Sequence, residues 1–436
     1  MKHTSKHHRS HHSKNLTLKR NLGLFQATSA GVGIIVGAGI YALIGVAAGL
    51  AGNMVWLSFL IASVVAAFTG LSYAELSSLF PKSDGEYSYV HKAFSWRALA
   101  FVTGYLVILS GVVGAAAVSM GFAGYLSQYL GIPLLYLAVG AIIIFSIINY
   151  MGIEQSSRVN IVCTVLEVGA LILVIIFALR YIGSVDYFST PSLTGVFSAA
   201  SLIFFAYTGF ESIVKLSEET KNARRNIPLA LILSIAITTV IYMLVGITAI
   251  SVIGWETLAS SSAPLALVAT ALLNSFAGVL LSIVALFSTG NTILILLVTT
   301  SRMLYGLGKD LRSLKFLSVL HKSRRTPVNA ILLTAIISMA FVFFGKKIDF
   351  IANISNVVLF ITFFLVNISV ILLRYNRYSR AKRRFTVPLN IGMFPVLPAL
   401  GALFCVFMII NIDFLTTVIG FFLTIAGFGF YWLVKK

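Results

Sequence analysis

Four glycines in nine positions, Gly31, Gly33, Gly37 and Gly39, interrupt an apolar run otherwise long enough to cross a bilayer. Each glycine weakens a helix by about 1 kcal/mol, so Gly31-Val32-Gly33-Ile34-Ile35-Val36-Gly37-Ala38-Gly39-Ile40 is a segment poised to unwind. N–H groups freed at Gly37-Ala38-Gly39, at the start of the helix that resumes there, would donate to a carboxylate in a positive helix-end potential. Packing is the competing explanation, because Gly33 and Gly37 also form a small-xxx-small spacing. A second apolar run carries a matching interruption in Phe204-Phe205-Ala206-Tyr207-Thr208-Gly209-Phe210-Glu211. Carbonyl oxygens released there are pure acceptors, which suits an ammonium group. Inside hydrocarbon, unwound backbone persists only where it is buried in protein or lines a cavity. Two interrupted segments at corresponding places in two halves mark the binding site of a secondary transporter.

Acidic residues supply the remaining chemistry. Glu167 lies near the centre of an apolar run, where a carboxylate costs about 2.5–3.5 kcal/mol or more. Desolvation penalises its charged form. Three readings follow: a protonatable acid that couples transport to protons, a permanently neutral hydrogen-bonded acid, or a sodium ligand aided by the hydroxyls of Ser288 and Thr289. Glu211 falls in the first turn after the second interruption, with Lys215 one turn on, and fits a structural cap and a coupling role equally. Glu75 comes late in its run and is expected to be solvated and structural. Glu218-Glu219 with Lys221, Arg224 and Arg225 form a charged loop, read as a gate or a solvated face.

Other chemistries find no residues to carry them. Histidine occurs only in the tail and at His91 and His321, with no Cys–His pairing and no glycine-rich phosphate loop, so no enzyme and no cofactor are expected. Cys163 and Cys405 sit inside apolar runs as small hydrophobes, without disulfide or metal spacing. The tail carries His3, His7, His8, His11 and His12; it reads as a disordered basic tail, with metal binding as the alternative. The apolar run that follows is too long for the core of a cleavable signal.

The elements that must position these residues are membrane helices. The chain is 58% hydrophobic and 10% charged, with a mean hydropathy of +0.97. Twelve apolar runs can cross the hydrocarbon: 22–49, 54–80, 98–126, 132–152, 157–180, 193–217, 227–253, 276–304, 327–345, 348–373, 392–412 and 414–434. With the N-terminus assigned to the cytoplasm, all of the 32 Lys and Arg except Arg180, Lys346 and Lys347 fall on the inner side. Both termini are therefore expected to be cytoplasmic. The net charge of +19 follows loop parity rather than a basic face, which argues against nucleic acid and for attraction to anionic lipid.

The runs divide into a basic tail (1–21), a first repeat of spans one to five (22–180), a second repeat of spans six to ten (193–373) and a closing pair (392–434). An odd number of spans per repeat makes the two copies inverted in the membrane. Pro81 to Tyr87 reads as a turn and inner amphipathic loop, and Glu256 to Phe276 as an external re-entrant or surface helix.

Several stretches resemble the amino acid permeases of the amino acid–polyamine–organocation superfamily. They are Gly31 to Ile40, Tyr73-Ala74-Glu75-Leu76 through Pro81 and Gly85-Glu86-Tyr87, Phe204 to Glu211 with Glu218-Glu219-Thr220-Lys221-Asn222, and Ser301-Arg302-Met303-Leu304-Tyr305-Gly306. They occur in order over about 300 residues. The resemblance implies an all-α polytopic membrane protein with a LeuT-type five-plus-five inverted repeat, broken helices one and six, and alternating access. It implies that the carbonyl region of Ile35 and the amides of Gly37, Ala38 and Gly39 bind the substrate backbone. It implies that carbonyls of Phe205, Ala206, Tyr207 and Thr208 hold the ammonium, and that Phe205 covers the substrate as a gate, against the alternative of a core or lipid-facing aromatic. Proton-coupled relatives carry a Lys where this chain has Glu167, so their mechanism does not transfer intact. The expectation is import of a small amino acid across the cell membrane, coupled to protons through Glu167, with sodium as the lesser alternative. An exchanger of amino acids or polyamines and a non-transporting sensor are the rivals.

Overall fold

Long uninterrupted runs of Leu, Ile, Val, Phe and Ala satisfy their backbone within each segment, and in the computed structural model they all become helices. The structure describes residues 22–80, 85–152, 157–376 and 385–434. The His-rich tail of residues 1–21, the turn at Pro81 to Asp84 and most of the basic stretch from Arg374 to Arg384 lie outside the described residues.

Among the described residues sixteen α-helices follow one another: α1 (Leu24–Ile35), α2 (Ala38–Ala51), α3 (Val55–Leu79), α4 (Glu86–Phe94), α5 (Arg97–Leu130), α6 (Leu134–Met151), α7 (Ser157–Ala178), α8 (Leu193–Ile203), α9 (Ala223–Ile253), α10 (Trp255–Ser260), α11 (Pro264–Leu272), α12 (Ser275–Asp310), α13 (Val328–Gly345), α14 (Ile348–Tyr375), α15 (Val396–Ile410) and α16 (Phe414–Val434). Among the described residues, ten helical stretches are long and apolar enough to cross a membrane, with α2 and α3 running together as Ala38–Leu79. The protein is thus a multi-pass membrane protein. Two shorter apolar helices, α1 and α15, add to these.

The broken helices lie at the centre of the bundle. Helix α1 packs on α9, α2 on α8, and α3 on both α8 and α9, while α5 packs on α12 and α14. Small residues permit this closeness, because membrane helices gain stability from backbone approach rather than from hydrophobic exclusion. A Cβ added at Gly31 would lie 2.2 Å from Ser234 Oγ of α9, and one at Gly33 would lie 2.6 Å from Thr164 of α7.

Three expectations change. The stretch read as an inner loop forms α4 from Glu86 onward, and Tyr89 and Val90 bury its apolar side. The segment read as an external re-entrant or surface helix becomes α10 and α11, and their packing on α2 and α12, with Leu258, Leu265 and Val268 fully buried, sets the surface alternative aside. Glu75 is not solvated: it is 2% exposed. The Arg374 guanidinium of α14 donates to it from Nε (3.0 Å) and Nη2 (2.5 Å), and the Val387 amide donates a third bond at 2.8 Å. Sequence pattern could not show this, because the cation lies 299 residues away.

Removing one partner of a buried, hydrogen-bonded ion pair costs about 3–5 kcal/mol, because the other charge is left unpaired. Glu75→Gln should therefore lower the midpoint of thermal unfolding in detergent sharply. The double change Glu75→Leu with Arg374→Met should lower it less, since no charge is stranded.

Candidate functional site

Helix α1 ends at Ile35; the Val36 amide still donates to Val32 O at 2.7 Å, and α2 starts anew at Ala38. Gly37 bridges the two with extended backbone, and no side chain caps the new helix. The Ala38 amide points across to Thr292 Oγ1 of α12 at 3.4 Å. The second interruption has a different form. Helix α8 tightens at its end into a 3-10 turn over Phe204–Tyr207, passes Thr208, and reverses at Gly209 with φ +106° before a further 3-10 stretch, Phe210–Glu218. The expected unwinding of Phe205 to Tyr207 is thus a tightening, closed by the Thr208 amide donating to Phe205 O at 3.3 Å. Only glycine adopts the Gly209 conformation without strain.

The two interruptions touch. A Cβ at Gly39 would lie 2.4 Å from Ala206 Cα, and one at Gly209 would lie 3.1 Å from Ile34 O. The chain rises from 34 to 39 on one side while it falls from 209 to 206 on the other, so the segments cross antiparallel. The Tyr242 hydroxyl of α9 seals the crossing, within reach of Ile35 O at 3.1 Å and Ala206 O at 3.2 Å. A hydroxyl has one hydrogen, so the two carbonyls share a single donor. A second tyrosine chain extends sideways: Tyr41 donates to Glu167 O at 3.0 Å, and Tyr125 donates to Tyr41 O at 3.1 Å.

Around the crossing lies a cavity of about 920 Å³. Ile35, Gly37, Ala38, Gly39, Phe205, Ala206, Thr208, Glu167 and Glu211 all line it. Tyr207 does not; its hydroxyl turns away to Phe59 O (3.1 Å) and Thr239 Oγ1 (3.3 Å). The Thr208 hydroxyl closes back on Phe205 O at 2.7 Å. Glu167 is 4% exposed, and Ser288 is the polar neighbour of its carboxyl. The Thr289 hydroxyl is committed to Ala285 O of its own helix at 2.7 Å. Glu211 Oε2 accepts the Gly209 amide at 2.9 Å, the geometry of a cap on the break. Among the described residues, no three His, Cys, Asp or Glu side chains gather as a metal group.

Sequence reasoning missed Tyr242, Asn291 and Thr292, although the last two line the cavity. A signal was present: Ser288, Thr289, Asn291 and Thr292 form a polar run around Gly290 in the middle of an apolar helix. Polar residues at that depth mark a functional face. Tyr242 gave no comparable signal, because a lone tyrosine in an apolar run reads as core.

The amino acid permease family profile matches residues 22–431, nearly the whole chain. The chain is 31% identical to the branched-chain amino acid permease BcaP of Bacillus subtilis, over 96% of this chain and 94% of the relative. It is 28% identical to the methylthioribose transporter of Bacillus subtilis, over 93% of this chain and 91% of the relative. It is 32% identical to the chloroplastic cationic amino acid transporter 9 of Arabidopsis thaliana, over 67% of this chain and 56% of the relative. These relatives are permeases and transporters rather than enzymes. The chain belongs to the amino acid permease family, within the amino acid–polyamine–organocation superfamily.

Proposed function

We propose that the protein is a secondary active transporter that moves amino acids across the cytoplasmic membrane by alternating access. The observation that carries this reading is the antiparallel crossing of the two interruptions at Gly39 and Ala206, inside one cavity. In this reading α1 and α2 form one broken span, α8 and its 3-10 continuation form another, and α3 and α15 count separately. That gives twelve spans in a LeuT-type five-plus-five inverted repeat followed by a pair, with both termini cytoplasmic.

The substrate carboxylate rests on the amides of Gly37, Ala38 and Gly39, where the start of α2 concentrates N–H donors and positive potential. Its ammonium rests on carbonyls of Phe205 to Thr208. Ala206 O accepts from Tyr242 and keeps a second lone pair for the substrate, whereas Phe205 O already accepts from both the amide and the hydroxyl of Thr208. Binding at Ala206 O would compete with Tyr242, whose hydrogen can pass to Ile35 O. Substrate arrival would thereby loosen one break from the other, a local change of the kind that alternating access needs.

Proton symport is the favoured coupling. Glu167 is a buried carboxyl that lines the cavity beside the Ser288 hydroxyl, a position from which a side chain can carry a proton together with the substrate. Sodium is the lesser choice, and for it the Thr289 oxygen keeps its lone pairs while its hydrogen is donated to Ala285 O. The relatives carry substrates as different as branched-chain amino acids and methylthioribose, so the family alone does not select one. An exchanger trading amino acids or polyamines is the rival on the same site.

Uptake in proteoliposomes, with pH and sodium gradients imposed separately, tests this reading. Amino acid accumulation should follow an inward proton gradient. Glu167→Gln should abolish that dependence while preserving exchange of internal for external amino acid. Gradient-driven uptake that survives in Glu167→Gln would remove Glu167 as the coupling acid. Gly39→Val should reduce uptake at least about 100-fold, because even one added carbon meets the Ala206 backbone, and a misplacement of about 1 Å is worth that much.

A further inference from the structure

Helix α8 stops at Ile203, and its last full-turn bond runs from the Phe204 amide to Ala200 O. Ser201 O and Leu202 O are the next carbonyls, and the 3-10 turn of Phe204–Tyr207 offers them no amide one full α-turn ahead. Both residues are fully buried, so water does not serve these carbonyls either. A side chain from another helix does. Asn356 of α14 donates from Nδ2 to Ser201 O at 2.8 Å and to Leu202 O at 3.1 Å. Carbonyls only accept, so the amide must present its nitrogen here, and both of its hydrogens are spent.

The arrangement leaves one group unsatisfied. Asn356 is fully buried, and its Oδ1 has no hydrogen-bond partner among the described residues. A leucine of similar size would spare that oxygen its burial but would strand two carbonyls. Asn356 itself does not line the cavity, although its neighbours Ser355 and Leu359 do. It acts from behind the break, one turn ahead of Phe205 and Ala206. In the repeat assignment above, α14 is the fifth span of the second repeat, as α7 is of the first. Each broken span thus meets a polar residue from the fifth span of its own repeat: Glu167 lines the cavity with Gly37 of the first break, and Asn356 holds the second.

We propose that Asn356 is a positioning residue for the substrate ammonium: it stops α8 at Ile203 and thereby sets the direction of Ala206 O. The proposal rests on the reading that the second break holds the ammonium. Without the two bonds, the amides of Phe205 and Ala206 are the nearest new donors for Ser201 O and Leu202 O, and the tight turn would rewind toward an α-helix. Ala206 O would then point along the helix axis rather than toward the substrate and the Tyr242 hydroxyl that it now faces.

The test uses the full chain in proteoliposomes. Its probe is whichever of labelled leucine, alanine, lysine and glutamate the parent takes up fastest. Asn356→Leu should raise KM for that amino acid at least about tenfold while the maximal rate changes much less, the scale of a binding group displaced by a fraction of an ångström. Competition then separates positioning from general damage. The amine that lacks the carboxylate should lose affinity as the amino acid does, whereas the carboxylic acid that lacks the α-amino group should compete as in the parent. Asn356→Ser, which keeps one donor, should show the same pattern with a smaller rise, and it decides the matter if the leucine variant does not fold. Equal losses for the amine and the carboxylic acid would reduce Asn356 to a structural role and overturn the proposal, as would an unchanged KM in both variants. Uptake of none of the four amino acids by the parent overturns the transport reading itself, and the positioning role with it.

Discussion

Backbone polar groups inside a membrane bundle must find partners without help from water, and two segments of this chain fail to do so within their own helices. The structure answers by bringing the two failures together. Gly39 lies against Ala206, Gly209 against Ile34, and one hydroxyl, that of Tyr242, serves Ile35 O and Ala206 O at once. Two further close approaches on α1 bear on this crossing. Gly31 lets α1 approach α9, which carries Tyr242, and Gly33 lets it approach α7, which carries Glu167. A bulkier residue at either position would push the first break away from the second.

The same constraint explains why the site is polar by backbone rather than by side chain. Charged side chains at this depth would need partners of their own, and the chain places few of them. The buried pair of Glu75 with Arg374 ties α3 to α14 and is consumed by structure. Its three hydrogen bonds contrast with the single shared donor at the crossing. The α3–α14 contact is thus held by several hydrogen bonds, and the crossing by one shared hydroxyl donor.

Helices were the legible part of the sequence. Apolar runs of membrane length have one backbone solution, so α5, α9, α12 and α14 fall where hydropathy places them, to within several residues. Both breaks were legible too, because glycine clusters and a turn-like Thr208-Gly209 pair leave a local mark. Long-range pairing left no such mark. Glu75 looked solvated because Arg374 lies far along the chain, and Tyr242 looked like core because its two acceptors belong to other helices. For α10 and α11 the surface alternative stayed open beside the re-entrant one because their Ser and Pro content resembles a loop, while their burial against α2 and α12 is decided by tertiary packing. The form of the second break was also hidden: a 3-10 turn and an unwound strand need the same residues.

If the crossing is the cradle of a zwitterion, both ends of the substrate matter, because each is bound by backbone that the other cannot use. The most direct measurement is competition against labelled leucine uptake by leucine, its amide, and the amine and carboxylic acid that each lack one α-group. The account predicts that only the intact amino acid competes, with each truncated analogue weaker by about 100-fold, the scale of a polar site left unpaired. Equal competition by an analogue lacking either group would contradict it.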